Sequence, residues 1–267
     1  MSTIPQTSPV SAAAIAGSDL LTALRQDDLS LIESKLGECR LKSGEIIYQP
    51  GDSVDYCYFP TGGAMCSYFV EMEDGTAVET ILVGREGALG GIVSHGSLPA
   101  YARANVLHDG VFLRIASRDI EAAKERSPAI AHLFARYADC VMAQVFQSIA
   151  CNAVHTIEQR AAKWLSAAVD RIGRNDVTMT QEQLASMMGI GRSYASRVLQ
   201  RFKRDGMVRT RRGGIEVLDR EGLKNRACAC NDQVEGISAA CSGTSIPRRV
   251  EPRRDGPFRV IVAIRSG

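Results

Sequence analysis

Signals that would place a chain in a membrane, secreted or catalytic class are missing from these 267 residues. No apolar run approaches the roughly 20 residues needed to cross a bilayer. The N-terminus lacks the basic region and apolar core of a secretory signal. No Walker loop, paired metal-ligand motif or His-Asp-Ser arrangement is present, and the glycines of residues 84–91 resemble a phosphate loop only by their number. We therefore expect a cytoplasmic protein that does not contact a membrane, with an enzyme only as a distant alternative.

The eight cysteines do not form a CxxC pair. We interpret five of them as small core residues that stay reduced, namely Cys39, Cys57, Cys66, Cys140 and Cys151. Cys228 and Cys230, together with Cys241, form a weak candidate metal clip, because there is neither a paired histidine nor a second couplet beside them. The sequence thus predicts no metal and no cofactor.

The most informative segment is 180–205, which predicts two helices around a glycine turn. Thr180 is suited to cap the first helix, with Gln183 three residues on to close a capping box. The turn is Gly189-Ile190-Gly191, and the second helix starts near Arg192. Its apolar side carries Ala195, Val198, Leu199 and Phe202. Its polar side carries Arg192, Ser193, Ser196, Arg197, Gln200, Arg201 and Arg204. Such a helix suits a DNA major groove, which indicates a helix-turn-helix.

A β-hairpin with a glycine turn is predicted directly afterwards, over residues 207–218. A hairpin in this place is typical of a winged helix-turn-helix. Residues 180–226 contain eleven basic and five acidic side chains, whereas the net charge of the whole chain is only +2. Residues 180–226 therefore carry a net charge of +6, so the positive charge of the chain is concentrated where a phosphate backbone would bind.

The rest of the chain predicts an α+β protein with several parts. Residues 1–18 read as a flexible leader, and 19–127 as an antiparallel β-roll or jelly roll of short strands and glycine turns. A long helix follows over 128–153, then the winged domain over 154–226 and a flexible tail over 227–267. Apolar residues at coiled-coil spacing on the long helix predict a dimer seam of Ile130, Phe134, Tyr137 and Val141. The alternative is that this stripe packs only on its own barrel.

This order of parts resembles the Crp/Fnr family of bacterial transcription regulators over about residues 20–224. Residues 42–52 are similar to the opening strands of a cyclic-nucleotide-binding β-roll. Residues 178–199 are similar to the family's DNA-binding signature, and residues 215–223 to its continuation. The resemblance implies a dimer, a palindromic double-stranded DNA site and RNA polymerase as a partner.

The predicted sensor departs from the family's cyclic-nucleotide pattern. The family uses a Gly-Glu pair and, about ten residues on, Arg-Ser-Ala or Arg-Thr-Ala. Here Gly91 or Ile92 stands in the glutamate position and Ala100 in the arginine position, while strand alternation would turn Arg103 to the opposite face. The remaining candidate effector-pocket residues are Arg85, Glu86, Gly90, Gly91 and Tyr101. We expect that cyclic AMP is not the effector; the alternative is a rebuilt phosphate pocket. The family's iron–sulfur and haem sensors also fit poorly, so the effector stays unassigned.

Matching the recognition helix by position retains the family's two arginines as Arg192 and Arg197, and places Ser193 where the family has glutamate. We predict that five residues read bases, namely Arg192, Ser193, Ser196, Arg197 and Gln200. Five more are predicted to hold phosphates, namely Thr180, Arg201, Arg204, Arg211 and Arg212.

Overall fold

A computed structural model describes residues 5–92 and 98–232 of the chain. The predictions made for residues 1–4 and for the tail beyond residue 232, Cys241 included, lie outside the described residues.

The N-terminal half is the predicted antiparallel β-roll. Two four-stranded sheets face each other, with strand orders β1-β2-β8-β4 and β3-β7-β5-β6. The strands are β1 (Ser8–Pro9), β2 (Gly37–Leu41), β3 (Ile46–Tyr48), β4 (Tyr56–Pro60), β5 (Met65–Glu71), β6 (Ala77–Val83), β7 (Arg103–His108) and β8 (Gly110–Ala116). Phe112 is fully buried among side chains of both sheets, whereas Phe59 and Leu113 are fully buried on the opposite face, against the helices. Alternating burial along β7 shows one face of this strand packed on that core.

The structure corrects the prediction of a flexible leader. Strand β1 pairs with β2, and the Ser11 backbone N–H donates to the Glu38 carboxylate at 2.7 Å. Helix α1 (Ala12–Ala16) follows and buries Ile15, and α2 (Asp19–Thr22) and α3 (Gln26–Glu33) continue the layer. This polar and alanine-rich composition suggested disorder, but a few apolar side chains and one sheet edge are enough to hold the segment in place.

Helix α4 (Ser117–Arg126) leads into α5 (Pro128–Val154), the predicted long helix. The Ser127 hydroxyl accepts from the Ile130 N–H at 3.3 Å, and Pro128 occupies the first turn, where its missing N–H costs nothing. Ile130 and Phe134 have no exposed surface because they pack on their own β-roll.

The predicted dimer seam is therefore wrong as assigned. Tyr137 reaches the β-roll through its hydroxyl, and Val141 packs against the roll's core. The coiled-coil spacing was real, but it matches the barrel face of α5. The opposite face of the helix exposes Met142, Phe146 and Ile149, with Phe146 63% exposed.

The C-terminal half is the winged helix-turn-helix domain. Its elements are α6 (Ile157–Ile172), β9 (Asp176–Thr178), α7 (Gln181–Met188), α8 (Arg192–Arg204), β10 (Val208–Arg211), β11 (Gly214–Val217) and α9 (Arg220–Arg226). The predicted hairpin is β10–β11, and β9 adds a third strand to it. Trp164 is buried in the core of this domain.

The winged domain also packs against the β-roll of the same chain. The Ser186 hydroxyl on α7 donates to the Ala77 carbonyl on β6 at 2.7 Å. Met65, Phe69 and Leu82 of the roll share one buried cluster with α6 and α7. Hairpin β5–β6 is thus the part of the roll on which the DNA-binding domain rests.

Glu79 on β6 lies at this contact, and its carboxylate accepts the Ser67 hydroxyl at 2.6 Å. Burial raises the pKa of Glu79 from 4.5 to about 7, against the opposing effect of the Ser67 hydrogen bond. As pH rises, the unfolded chain therefore loses the Glu79 proton at a lower pH than the folded chain does. The free energy of unfolding consequently falls between about pH 4.5 and pH 7.

At pH 4.5 we expect Glu79→Gln to unfold at the same temperature as wild type. At pH 8 it should unfold a few degrees higher than wild type, which corresponds to a gain on the order of 1–3 kcal/mol in the free energy of unfolding. Thermal unfolding followed by circular dichroism at both pH values measures this difference. Glu73→Gln, an exposed change on the same hairpin, is the control. An effect of Glu79→Gln that is the same at pH 4.5 and pH 8 would contradict the assignment.

Candidate nucleic-acid interface

The helix-turn-helix is built from strong local signals. The Thr180 hydroxyl accepts from the Gln183 N–H at 3.1 Å, and the Gln183 side chain accepts from the Thr180 N–H at 2.7 Å. Gly189 ends α7 in the left-handed region, at φ 64°, which glycine adopts without steric cost. The turn therefore sets α8 across α7, with Ala195, Val198, Leu199 and Phe202 buried as predicted.

The outward face of α8 exposes four of the five predicted base-reading residues. These are Arg192, Ser193, Arg197 and Gln200, while Ser196 is half-buried. The Arg197 guanidinium lies over the Tyr194 ring, 5.2 Å from its centroid. Tyr194 was absent from the predicted site. It restricts the directions in which Arg197 can extend, and the contact itself contributes roughly 0.5–1 kcal/mol at an exposed site.

The predicted phosphate contacts divide into two groups. Arg201 pairs with Glu158 at 3.0 Å and Arg211 with Asp176 at 2.6 Å, so a carboxylate already offsets each charge. Arg204 has only a 3.4 Å contact with Asp205, and 76% of its side chain is exposed. Arg212 stands at the tip of the β10–β11 turn, exposed and without an ion pair to the described residues. The Thr180 hydroxyl has its capping role besides any contact with phosphate.

Glu158 was the main residue that sequence reasoning missed in this domain. Its carboxylate accepts from Arg201 on α8 at 3.0 Å and from Arg226 on α9 at 2.5 Å. It therefore joins three helices, and it lowers the positive potential at one end of α8. The position of Glu158 in the first turn of α6 suggested only a favourable helix-dipole contact.

The candidate effector residues do not converge on one pocket. Arg85 forms a bidentate pair with Asp19, at 2.8 and 2.5 Å, and Glu86 accepts from Arg171 on α6 at 2.7 Å. Tyr101 is 84% exposed. Gly90 has φ 107°, and a side chain there would meet the Tyr56 carbonyl at 2.5 Å, so this glycine serves the turn. Gly91 is half-buried and brings no polar side chain.

Large side chains fill the interior of the roll beside that loop. Tyr48, Tyr58, Leu89 and Phe112 share one buried cluster, and the Tyr48 and Tyr58 rings meet edge to face at 6.0 Å. Arg103 points away from this interior, as strand alternation predicted, and pairs with Glu71 at 2.5 Å. Arg103 therefore does not present its guanidinium to a phosphate inside the roll.

Cys140 is buried as predicted, but it is disulfide-bonded, so the prediction that it stays reduced is wrong. The free cysteines of the described residues separate into two kinds. Cys39 and Cys57 are buried in the β-roll, where burial raises the pKa of each thiol to about 11, and Cys66 is equally buried. These three fit the prediction of core residues. Cys151 is buried as well, and its Sγ lies 3.6 Å from that of Cys228, beyond the end of α9.

The segment after α9 is therefore another correction to the predicted domains. Residues 227–232 are packed against α5 and α6 with Cys228 and Cys230 buried, although we predicted a flexible tail from residue 227. The Asn231 side-chain amide donates to the Lys163 carbonyl at 2.9 Å, which fixes this segment on α6.

Residues 159–226 match the family model of the Crp-like helix-turn-helix domain. The C-terminal part of the chain is a Crp-like helix-turn-helix domain. The transcriptional regulatory protein btr of Bordetella pertussis is 24% identical to this chain over 196 residues, which span 69% of the chain and 78% of that protein. The chain is a transcriptional regulator of the Crp/Fnr type with a helix-turn-helix DNA-binding domain, and the related proteins are regulators rather than enzymes.

Solved structures of transcriptional regulators share the fold of this chain. FixK2 of Bradyrhizobium japonicum aligns with a TM-score of 0.62 at 18% identity, covering 73% of this chain and 98% of that structure. A Crp/Fnr regulator of Eubacterium rectale gives 0.59 at 19% identity, covering 77% and 96%. Within residues 5–92 and 98–232, no helix has the length and apolar character to span a membrane.

We predict that Arg197→Ala flattens base preference at one position of each half-site, because a bidentate arginine–guanine contact provides about 1–3 kcal/mol of discrimination. Sequencing the DNA retained by the variant and by wild type from a random library measures the preference. Arg209→Ala is the control, since Arg209 is also exposed but already pairs with Glu216 at 2.7 Å on the wing. An unchanged preference in Arg197→Ala would show that this residue does not read a base.

Proposed function

We propose that the protein is a homodimeric, sequence-specific DNA-binding regulator that inserts α8 into the major groove of a palindromic site. The observation that carries this proposal is the division of charge on the winged domain. Arg192 and Arg197 project from the groove-facing side of α8 without an ion pair to the described residues, whereas Arg201 and Arg211 are paired at its margins. The free guanidinium groups lie where base edges would be read, and Arg204 and Arg212 remain for the backbone.

The exposed face of α5 supports the dimer. Met142, Phe146 and Ile149 follow each other at spacings of four and three residues, and all three are about half exposed or more. A seam of this kind buries its apolar stripe against the same stripe of a second copy. Two recognition helices must then lie about 34 Å apart to meet successive major grooves.

We propose further that neither cyclic AMP nor cyclic GMP is the effector. Glu86 and Arg85 each form an ion pair with another element, and buried tyrosines occupy the interior of the roll. A cyclic nucleotide would need to break these pairs and displace that core. RNA polymerase is the partner that family membership suggests for the DNA-bound dimer.

Binding to random DNA in the absence of added ligand tests the function. We expect wild type to enrich an inverted repeat with half-sites one helical turn apart. Phe146→Asp should give a monomer in sedimentation and lose the second half-site, because a buried carboxylate opposes the seam. Tyr101→Asp, a change at another exposed aromatic residue, is the control and should remain dimeric. Salt-sensitive binding without any enriched sequence would contradict sequence-specific recognition.

Calorimetric titration with cyclic AMP and cyclic GMP tests the effector proposal. We expect no binding heat at ligand concentrations up to about 1 mM, a range that detects even weak affinities. Saturable binding that is lost in Glu86→Gln would show instead that the loop at 84–92 forms a rebuilt phosphate pocket.

A further inference from the structure

Four metal-ligating side chains meet at the junction between α5 and the winged domain. Cys151, His155, Cys228 and Cys230 bring one ligand atom each to within 4.8 Å of one another. The three cysteines are buried and form a cluster of their own, and His155 is half-buried beside them. Cys151 and His155 lie one turn apart at the end of α5, and Cys228 and Cys230 flank Ala229 just after α9.

We propose that these four residues bind one zinc ion with tetrahedral geometry. With Zn–S bonds of about 2.3 Å and Zn–N bonds of about 2.0 Å, a tetrahedron places two sulfurs about 3.8 Å apart and a sulfur and a nitrogen about 3.5 Å apart. The Sγ atoms of Cys151 and Cys228 are 3.6 Å apart, and the Cys230 Sγ lies 3.5 Å from the His155 Nδ1. Both separations agree with the edges of such a site.

The number and closeness of the ligands favour a single ion over other chemistry. A disulfide would use two of the three thiols and would leave Cys230 and His155 without a role. An iron–sulfur cluster distributes its protein ligands over two or more iron atoms, so these ligands are spread more widely than those around one ion. Three thiolates and one imidazole are a known ligand set for structural zinc.

The surroundings fit a site with net negative charge. Zinc with three thiolates and a neutral imidazole carries a charge of −1, and the cations Arg160 and Lys163 on α6 lie close enough to interact with these thiols. The Gln147 side-chain amide donates to the Cys230 Sγ at 3.0 Å. A donor in this place orients a ligating thiolate and lowers its charge density.

The position of the cluster gives the ion a consequence for DNA binding, which rests on the proposed function. His155 is the C-cap of α5 and Thr156 the N-cap of α6, so the two helices meet at this pair of residues. Cys228 and Cys230 follow α9, which packs on α6. Zinc would therefore bind the long helix to the winged domain across this joint and fix the angle between them.

Metal content of the full chain, purified under reducing conditions, tests the site without any DNA. We expect about one zinc per chain in wild type and in Cys39→Ser, a buried cysteine of the β-roll, and under a tenth of that in Cys228→Ser and His155→Ala. Cobalt should replace zinc and give thiolate charge-transfer and tetrahedral ligand-field bands. Gln147→Ala should keep the bands but bind zinc about 10–100-fold more weakly.

Three results would overturn the site. Wild type without zinc affinity would do so, as would unchanged zinc content in Cys228→Ser and His155→Ala, or iron together with acid-labile sulfide in place of zinc. Circular dichroism of each variant shows whether lost metal reflects lost folding, and Gln147→Ala, which keeps all four ligands, gives a second readout where a ligand variant does not fold.

DNA affinity of zinc-loaded and zinc-free protein then tests the consequence separately. We expect at least tenfold stronger binding to the enriched repeat with zinc in wild type and in Cys39→Ser. Equal affinity in both forms would overturn the coupling and leave the site. Stoichiometric zinc with no sequence-specific binding in either form would overturn the proposed function instead.

Discussion

Tyr137 on α5 donates its hydroxyl to the Ala88 carbonyl at 3.1 Å and accepts from the Ala88 N–H at 3.0 Å, which fixes the long helix to the loop at 84–92. Burial raises the pKa of Tyr137 well above its ordinary value, so the hydroxyl keeps its proton. Gly87 allows the approach, because a side chain there would meet the Tyr137 oxygen at 2.5 Å. One face of α5 is thereby committed to the roll, and only its opposite face remains for a second chain.

The same loop also reaches the DNA-binding domain. The Glu86 carboxylate accepts from the Arg171 guanidinium on α6 at 2.7 Å, and this ion pair is partly buried. Glu86 directly precedes Gly87, the glycine that lies against Tyr137. A ligand or modification that moved the loop would disturb both the long helix and α6. Loop 84–92 thus joins the β-roll, the long helix and the winged domain.

Local patterns predicted the winged domain well, because its signals are short in range. The Thr180–Gln183 capping box and the Gly189 turn depend on residues at most a few positions apart. The seam on α5 was misassigned for a physical reason: Ile130 and Phe134 have the spacing of any buried helix face, and spacing does not say which partner covers it. Ion pairs such as Glu158 with Arg201 join residues 43 positions apart, and no local pattern reports them.

The cysteine cluster also could not be predicted from local patterns. Cys151 and Cys228 are 77 positions apart and touch only because α9 returns along α6 to the end of α5.

The location of the cluster matters for regulation. A ligand shifts a two-state equilibrium only by its difference in affinity for the two states. Rotation of the winged domain about residues 155 and 156 would break two contacts far from this joint, Ser186 with Ala77 and Arg171 with Glu86. The four cluster residues, which come from both sides of the joint, would stay close to the rotation axis. An ion bound at this place would select among joint angles through its coordination geometry. In the proposed dimer, a small displacement at the pivot would be amplified along α8 to the spacing of the two recognition helices.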